Sequence, residues 1–207
     1  CVEEDARVMG LEVVSTDQSQ TKSFRLNQTD VPESGLICGG QVTILAEPIV
    51  PPVVVFFGGG HVAGAAARVA KECDLRVWVC DTREEYANSE AHPAADEVFS
   101  GSWQENVARL GNAEHHYLVV VTRGHKDDAE VLHQIANAKC SPKYLGMIGS
   151  LAKKAQLDKM LLNLGVSEDW LKSIQTPIGL DIGAKSSGEI AVSLISQLVK
   201  LRRSGIL

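Results

Sequence analysis

From residue 53 onward, short apolar runs alternate with segments whose apolar residues recur at helical spacing. Val53–Phe57 is apolar at every position, as expected for a strand buried on both faces of a sheet. Further apolar runs predict strands at 75–80, 117–121 and 144–148. Helical spacing predicts helices at 62–73, 103–110, 127–138, 151–164, 167–174 and 189–201. This alternation predicts an α/β fold, in which helices cover both faces of a Rossmann-like, mostly parallel sheet.

The first fifty residues differ from the rest in both pattern and charge. A helix is predicted at 4–12, followed by strands at 21–26 and Gln41–Ala46. Pro48, Pro51 and Pro52 then place a domain boundary between residues 1–50 and 51–207. The first segment has a net charge of −5 and the second of −1. Because so short a chain cannot bury a core of its own, we expect this small N-terminal α+β segment to pack on the second domain or on another copy, as in a homodimer.

Composition and charge narrow the functional classes. The chain has 207 residues, 44% apolar and 22% charged, and a formal net charge of −6, which disfavours nucleic acid or an anionic membrane as partner. No apolar run approaches the roughly 18–20 residues of a membrane span, and the acidic N-terminus is unlike a secretory signal. Five cysteines without a Cys-x-x-Cys pair suit a reducing compartment. We therefore expect a cytoplasmic protein and, because the chain starts at Cys1 rather than Met, a preceding piece that is missing.

The strongest local motif is Gly58-x-Gly60-x-x-x-Gly64, which lies between a predicted strand and a predicted helix. In dinucleotide-binding folds such glycines make the tight turn, admit a phosphate to the backbone and let the helix pack on the strand. The helix start adds free N–H groups and the positive end of a dipole. Gly59 and His61 belong to the same loop, where His61 either meets a ligand or caps the helix.

Asp81 ends the next predicted strand, 23 residues after Gly58. An acid at this place bonds a ribose hydroxyl in dinucleotide folds, whereas Arg83 could instead contact a phosphate. The alternative is a βαβ unit with an unoccupied loop and an Asp81 on the surface. The pattern predicts the Rossmann fold, but a bound nucleotide does not follow from the fold alone.

Polar residues also follow the strand predicted at 117–121. Arg123, His125 and Asp127 either face a ligand or, together with Asp128, only begin the next helix, where acids are favourable.

Two further loops lie at the same predicted edge of the sheet. The loop 146–150 leads into a helix with Lys153 and Lys154, and is either a second anion site or a glycine turn beside solvated lysines. The loop 176–185 is stiff, punctuated by glycine and longer than a linker needs, which is typical of functional loops.

Cys38, between Ile37 and Gly39-Gly40, precedes the last predicted N-terminal strand. A thiolate beside glycines can ligate a soft metal or carry sulfur, although a small residue in a β-turn explains the pattern as well. The chain has no Gly-x-Ser-x-Gly, His-Glu-x-x-His or Gly-Lys-Ser/Thr motif. The length also leaves little room for the second domain that carries the acid–base residues of a dehydrogenase. The residues therefore favour a protein without a catalytic set of its own.

Taken in order, these motifs closely resemble the XdhC/CoxI family, the accessory proteins of xanthine dehydrogenase and related molybdenum hydroxylases. The resemblance covers essentially the whole chain. It rests on Cys38-Gly39-Gly40 with Glu47-Pro48, on 57–62, on Asp81-Thr82-Arg83, and on 146–150, 177–184 and 189–193. The stretch Pro-Ile-Gly-Leu-Asp-Ile-Gly-Ala within it is the most specific part.

The resemblance implies a small N-terminal domain joined to a Rossmann domain. It implies that the protein binds molybdenum cofactor (molybdopterin), helps the cofactor to acquire its terminal sulfur and delivers it to an apo hydroxylase of the xanthine dehydrogenase type. Such a chaperone would also meet a sulfur donor, for example a cysteine desulfurase. The implied cofactor site comprises Cys38 beside the metal, Gly39 and Gly40, and the loop of Gly58, Gly59, Gly60 and His61.

The residues alone leave two other functions open. Asp81 and Arg83 are also candidate cofactor-binding residues. The glycine loop with Asp81 fits an NAD(P)-dependent oxidoreductase as well, and a regulatory domain that only senses a nucleotide is the other alternative.

Some positions depart from the family pattern. Members carry Gly-Gly-Cys-x-Glu near their start, and Cys1-Val2-Glu3 resembles the tail of that element. Arg123 follows Thr122 where the family has Thr-His, and Ser-Ser-Gly stands at 186–188 where the family has Thr-Pro. Because Pro at the first helical position fixes a helix start, we expect the final helix to begin less sharply here.

Overall fold

The computed structural model describes residues 2–16, 19–25, 40–47, 52–111 and 113–204. The chain divides into two units, Cys1–Pro51 and Pro52–Leu207. Across the described residues, none of the helices combines the length and apolar character that a membrane-spanning segment needs.

The first unit contains one helix and one antiparallel pair of strands. Helix α1 spans Val2–Thr16, strand β1 spans Gln20–Arg25, and strand β2 spans Gln41–Ala46. The two strands pair in register from Gln20 opposite Ala46 to Arg25 opposite Gln41. All three predicted elements of this segment are confirmed, and α1 extends beyond the predicted 4–12 at both ends.

The second unit is built on a five-stranded parallel sheet in the order β5-β4-β3-β6-β7. Its strands are β3 (Val53–Phe57), β4 (Arg76–Asp81), β5 (Glu97–Ser100), β6 (His116–Val120) and β7 (Tyr144–Met147). Its helices are α2 (His61–Glu72), α3 (Trp103–Ala108), α4 (His125–Asn137), α5 (Leu151–Asn163), α6 (Glu168–Lys172) and α7 (Ser187–Ser204). The prediction of a Rossmann-like parallel sheet is therefore confirmed.

Alternate residues of the central strands feed two apolar cores, one on each side of the sheet. In β3, Val53, Val55 and Phe57 pack in the core formed with α3, α4, α5 and α6. Val54 and Phe56 pack in the core formed with α2 and α7. Because both faces are covered, β3 is apolar at every position, which is the feature that made it recognisable in the sequence.

Two features of this unit differ from the prediction. Strand β5 was missed because only Val98 and Phe99 are apolar in its four residues and both are half-buried at the sheet edge.

The expected loose start of α7 is wrong. Ser186 Oγ accepts a hydrogen bond from the Glu189 N–H (3.3 Å), and Glu189 Oε2 accepts one from the Ser186 N–H (2.9 Å). This capping box defines the helix start without proline.

Candidate functional site

The strand order places a crevice at the carboxyl ends of β3 and β6. From β3 the chain proceeds outward through β4 to β5, and then returns past β3 to form β6 and β7. Open parallel sheets bind ligands beyond the strand ends at such a reversal. The loops that follow β3 and β6 are thus the first candidates for a binding site.

Gly58 brings these two loops into direct contact. Its φ is +113°, and a Cβ there would lie 2.5 Å from the Val121 carbonyl oxygen and 2.9 Å from Thr122 Cα. Its N–H donates to the Cys80 carbonyl oxygen (2.7 Å). Both the backbone angle and the close approach require glycine, in line with the tight turn expected from the sequence.

Gly60 and the start of α2 form the open part of the loop. Gly60 is the N-cap, with φ −79° and ψ −172°, and no side chain caps the helix. No acidic residue lies in the first turn, and His61 is exposed, so the alternative that His61 caps the helix is wrong. A Cβ on Gly60 would have no atom within 4 Å. The first N–H groups of α2 therefore have no capping side chain, and the space beside the Gly60 Cα at this positive end of the helix dipole is open.

The other two glycines of the loop have different neighbours. A Cβ on Gly59 would overlap the Tyr86 carbonyl oxygen, so this position too excludes a side chain. A Cβ on Gly64 would meet only the His92 ring, at 3.8 Å. The expectation that Gly64 provides close packing of the helix on the strand is wrong, since the buried alanines of α2 make that contact: Ala63, Ala66, Ala67 and Ala70.

Asp81 holds the glycine loop from the end of β4. Its side chain is 2% exposed and accepts hydrogen bonds from the Gly59 N–H (2.8 Å), the Arg83 N–H (3.0 Å) and Arg83 Nε and Nη2 (both 3.0 Å). Burial opposes ionisation, but these hydrogen bonds outweigh it and hold the pKa of Asp81 below its ordinary value. Arg83 also stacks on Tyr86, with its guanidinium carbon 3.8 Å from the ring centre. Asp81 is therefore not a surface residue, and both of its oxygens are engaged within the protein.

His92 is a buried member of the site that the sequence reasoning missed. Its Nε2 lies 3.1 Å from the Gly59 carbonyl oxygen and 3.0 Å from that of Tyr86. Because both partners are acceptors, Nε2 must carry the proton. No sequence signal marks this role, since a histidine in the irregular segment before β5 is ordinary.

The residues of the loop after β6 divide into an exposed and a buried group. Arg123 is exposed and lies 3.7 Å from Asp127 (Nε to Oδ2), and His125 begins α4 in an exposed position. Asp128, by contrast, is completely buried. The sequence interpretation of Asp128 as a helix-start acid gave its position in the first turn but not its burial.

Asp128 forms an ion pair with Lys153 of α5. Lys153 Nζ lies 2.5 Å from Asp128 Oδ2, and Thr122 Oγ1 donates to Asp128 Oδ1 (2.7 Å). Burial raises the pKa of Asp128 above its ordinary value. A signal for the burial was present: Asp128 shares one helical stripe with Val131, Leu132 and Ile135.

The lysines that start α5 are not the solvated pair that one interpretation expected. Lys153 also donates to the Ile148 carbonyl oxygen (3.0 Å). Lys154 turns the other way, where it pairs with Asp158 (2.8 Å) and donates to the Leu171 carbonyl oxygen (3.1 Å). Lys154 thus ties α5 to α6 and has a structural role.

A cleft of about 660 Å³ lies beyond β7. Gln175 forms a parallel bridge with Gly146, so the chain after Gln175 leaves the sheet at the carboxyl edge. The cleft is lined by Ile148, Gly149, Gln175, 177–184, Ile190 and Ser193. Its size is typical of sites for small organic ligands.

The loop around this cleft is fastened to α7 and β7. The Gly179 N–H donates to Gln197 Oε1 (2.8 Å), which also accepts from the Tyr144 hydroxyl (2.8 Å). Ser193 Oγ donates to the Leu180 carbonyl oxygen (2.5 Å). The predicted stiffness of this loop therefore has a physical basis in its hydrogen bonds.

The cysteine site predicted in the first unit is only partly within the described residues. Cys38 and Gly39 lie outside them, and Gly40 is exposed immediately before β2. Cys73, Cys80 and Cys140 are free thiols, and burial raises the pKa of Cys80 to about 12. Within the described ranges, no group of three or more His, Cys, Asp or Glu side chains is placed to hold a metal ion.

Comparison with known proteins is consistent with this architecture. Residues 54–198 match the family described as the XdhC Rossmann domain. Curated relatives include "Uncharacterized protein YqeB" of Escherichia coli K12, 25% identical over 82% of this chain and 31% of that protein. They also include a probable xanthine dehydrogenase component of Bacillus subtilis 168, 26% identical over 73% of this chain and 43% of that protein.

A solved structure described as a xanthine dehydrogenase (BH1974) from Bacillus halodurans has the same fold. It superposes with a TM-score of 0.66 at 19% identity, over 94% of this chain and 63% of that one. This chain thus spans less than half the length of the curated relatives and under two thirds of this structural neighbour. The match over most of the sheet domain shows that the chain belongs to the XdhC family, whose Rossmann domain it contains.

Proposed function

We propose that this protein is an accessory factor that binds molybdenum cofactor and assists its sulfuration and its insertion into a molybdenum hydroxylase of the xanthine dehydrogenase type. Membership of the XdhC family supports the proposal. The names of the relatives from the two Bacillus species, which refer to xanthine dehydrogenase, agree with a partner of that type.

The open start of α2 is the observation that carries this proposal. Gly60 leaves room for a ligand, and the uncapped N–H groups behind it favour an anion. The cleft beyond β7 lies at the same sheet edge, two strands from β3, a separation of about 10 Å at the usual strand spacing. A ligand with a phosphate at one end and a ring system at the other, as molybdopterin has, suits these two features.

The proposed metal contact depends on Cys38. Buried thiols such as Cys80, whose pKa is raised to about 12, supply little thiolate at neutral pH and are poor ligands. Cys38, beside Gly39 and Gly40, is the candidate thiolate by family resemblance. When bound, the cofactor would supply the molybdenum that the hydroxylase uses. A sulfur donor such as a cysteine desulfurase, and a second copy of this chain in a homodimer, are further partners of the proposal.

Anaerobic isolation tests the proposal directly. Molybdenum is measured by mass spectrometry and pterin by fluorescence after oxidation, for the wild type and for Gly60→Val, which places a side chain in the space that is open around a Cβ at this position. Gly188→Ala is the matched control, because that exposed glycine also has no neighbour within 4 Å. We expect the control to retain as much molybdenum and pterin as the wild type. We expect Gly60→Val to lose both while its free energy of unfolding stays at the wild-type value. Cys38→Ala should lose molybdenum or its sulfur.

The same preparations distinguish the other functions. Titration with NADH is followed by nicotinamide fluorescence, alongside an assay for hydride transfer. Protein that retains no pterin but oxidises NADH with a substrate would be an oxidoreductase. Nucleotide binding without turnover or pterin would indicate a sensing domain. Asp81 does not favour either, because its oxygens already accept hydrogen bonds from Gly59 and Arg83.

A further inference from the structure

A continuous row of contacts crosses the carboxyl edge of the sheet from β3 to β7. It begins at Gly58, whose Cα approaches Val121 and Thr122 after β6. Thr122 Oγ1 then donates to Asp128 (2.7 Å), and Asp128 pairs with Lys153. The row therefore connects the glycine loop to an ammonium group at the start of α5.

The carboxylate of Asp128 in this row is buried at a cost in desolvation free energy. Asp128 has no exposed surface, and its two oxygens are directed at Thr122 and Lys153. An ion pair taken out of water gains little net stability, because the cost of desolvation offsets the attraction between the charges. A buried charged pair beside a crevice is therefore a candidate for a functional role.

Lys153 is held in one position but is not fully enclosed. Its side chain is 26% exposed. Its Nζ forms the ion pair with Asp128 and donates a hydrogen bond to the Ile148 carbonyl oxygen (3.0 Å), while an ammonium group has three N–H donors. Gly149 has φ +156°, and a Cβ there would lie 2.7 Å from Lys153 Cδ, so the absence of a side chain leaves a path for the lysine stem. At least one N–H donor and part of the side-chain surface therefore remain available to a ligand.

We propose that Lys153 binds, together with the start of α2, the phosphate or diphosphate group of the ligand in this crevice, and that Asp128 and Thr122 position its ammonium group. This proposal deepens the proposed function, on which it rests for the presence of an anionic ligand. Lysine serves phosphate as a compact point charge, and a fixed ammonium loses less entropy on binding than a free one. The neighbouring Lys154 is not equivalent, because its ammonium is occupied by Asp158 and Leu171.

The first test uses inorganic pyrophosphate as the probe, titrated by calorimetry into the full chain. Lys153→Met keeps the length of the stem and removes the charge. Lys159→Met is the matched control, since Lys159 is an exposed lysine of the same helix. We expect Lys153→Met to weaken pyrophosphate binding about 10- to 100-fold, the usual worth of a charge-assisted hydrogen bond, and the control to bind within about twofold of wild type. Equal affinity in the two variants would overturn the proposal.

The second test separates positioning from simple electrostatics. Asp128→Asn removes a negative charge near the anion, which by itself should tighten pyrophosphate binding. If Asp128 positions Lys153, the variant binds more weakly instead, whereas in the Lys153→Met background, which has no ammonium group to position, Asp128→Asn causes no further loss of binding. Tighter binding by Asp128→Asn, or an equal loss in both backgrounds, would refute the positioning role.

The double variant also guards against a loss of folding. Lys153→Met alone leaves a buried charge without its partner, whereas Lys153→Met with Asp128→Asn leaves none. The proposal predicts weak pyrophosphate binding by the folded double variant, and wild-type affinity in that variant would contradict it.

The role of Lys153 and the accessory function can fail independently of each other. If the wild type binds pyrophosphate through Lys153 but retains no molybdenum or pterin, the inference stands and the accessory function fails. If the wild type retains cofactor and Lys153→Met retains it equally, the accessory function stands and this inference fails.

Discussion

Replacing Gly58 by alanine perturbs the contact between the loops that follow β3 and β6. The φ of +113° is a conformation that a residue with a Cβ rarely adopts, and forcing it costs about 1–3 kcal/mol. The added methyl would also lie 2.5 Å from the Val121 carbonyl oxygen, and overpacking of this kind costs about 1–3 kcal/mol. Together we expect the free energy of unfolding to fall by about 2–6 kcal/mol, which is a large part of the stability of an ordinary domain.

Urea unfolding measures this loss, with tryptophan fluorescence as the signal. All three tryptophans belong to the Rossmann unit: Trp78, Trp103 and Trp170. At a usual dependence of about 1–3 kcal/mol per molar urea, the midpoint should fall by at least about 0.7 M. Gly60→Ala is the matched control, because its backbone angles suit alanine and its Cβ meets no atom, so we expect a change within about 0.5 kcal/mol. Equal midpoints for Gly58→Ala and Gly60→Ala would refute the reasoning.

Three smaller perturbations test other contacts of the fold. Burial opposes the ionisation of Asp81, but hydrogen bonds, above all from the Arg83 side chain, outweigh it and lower its pKa, so its stabilising effect is present above about pH 3.9 and is lost as the pH falls through the lowered value. Asp81→Asn should therefore unfold more easily than wild type at pH 7 in urea, with a gap that narrows below pH 4; a constant gap would contradict this. Tyr144→Phe should cost about 1 kcal/mol in thermal unfolding, and Gln197→Leu more, because it leaves two donors without their acceptor. Ser186→Ala should cost about 1 kcal/mol by loss of the α7 cap, and no change in thermal stability would show that the cap is dispensable.

The sequence was sufficient for the fold wherever burial determined the pattern. Central strands covered on both faces are apolar at every position, so β3 could be placed at Val53–Phe57 without error. Strand β5 begins with Glu97 and ends with Ser100, so only its two middle residues are apolar. It lies at the sheet edge, where side chains are only partly buried and the apolar pattern carries little information. The sequence prediction therefore failed at β5, where partial burial leaves only a weak apolar pattern.

The candidate site was predictable only in part. Turn glycines are visible in a sequence because few other residues adopt their angles, and Gly58 was placed correctly on that basis. The pair of Asp128 and Lys153 depends on the packing of α4 against α5, which no local pattern encodes. The position of Asp128 in the apolar stripe of α4 indicated that it is buried. Its burial was not predicted, because the helix dipole already explains an acidic residue in the first turn.

The glycines of the loop after β3 are physically different from one another. Gly58 and Gly59 are required by the protein itself, because a side chain at either position would meet the backbone of Val121 or Tyr86. Gly60 has ordinary backbone angles and empty space around its Cα, so nothing within the described structure requires glycine there. Gly60 lies at a helix start without a side-chain cap, beside the strand reversal, and under the proposed function the open space there admits the ligand. This contrast separates the glycines that build the loop from the one that leaves room for a ligand, and it is why Gly60, rather than the whole motif, is the position at which to test binding.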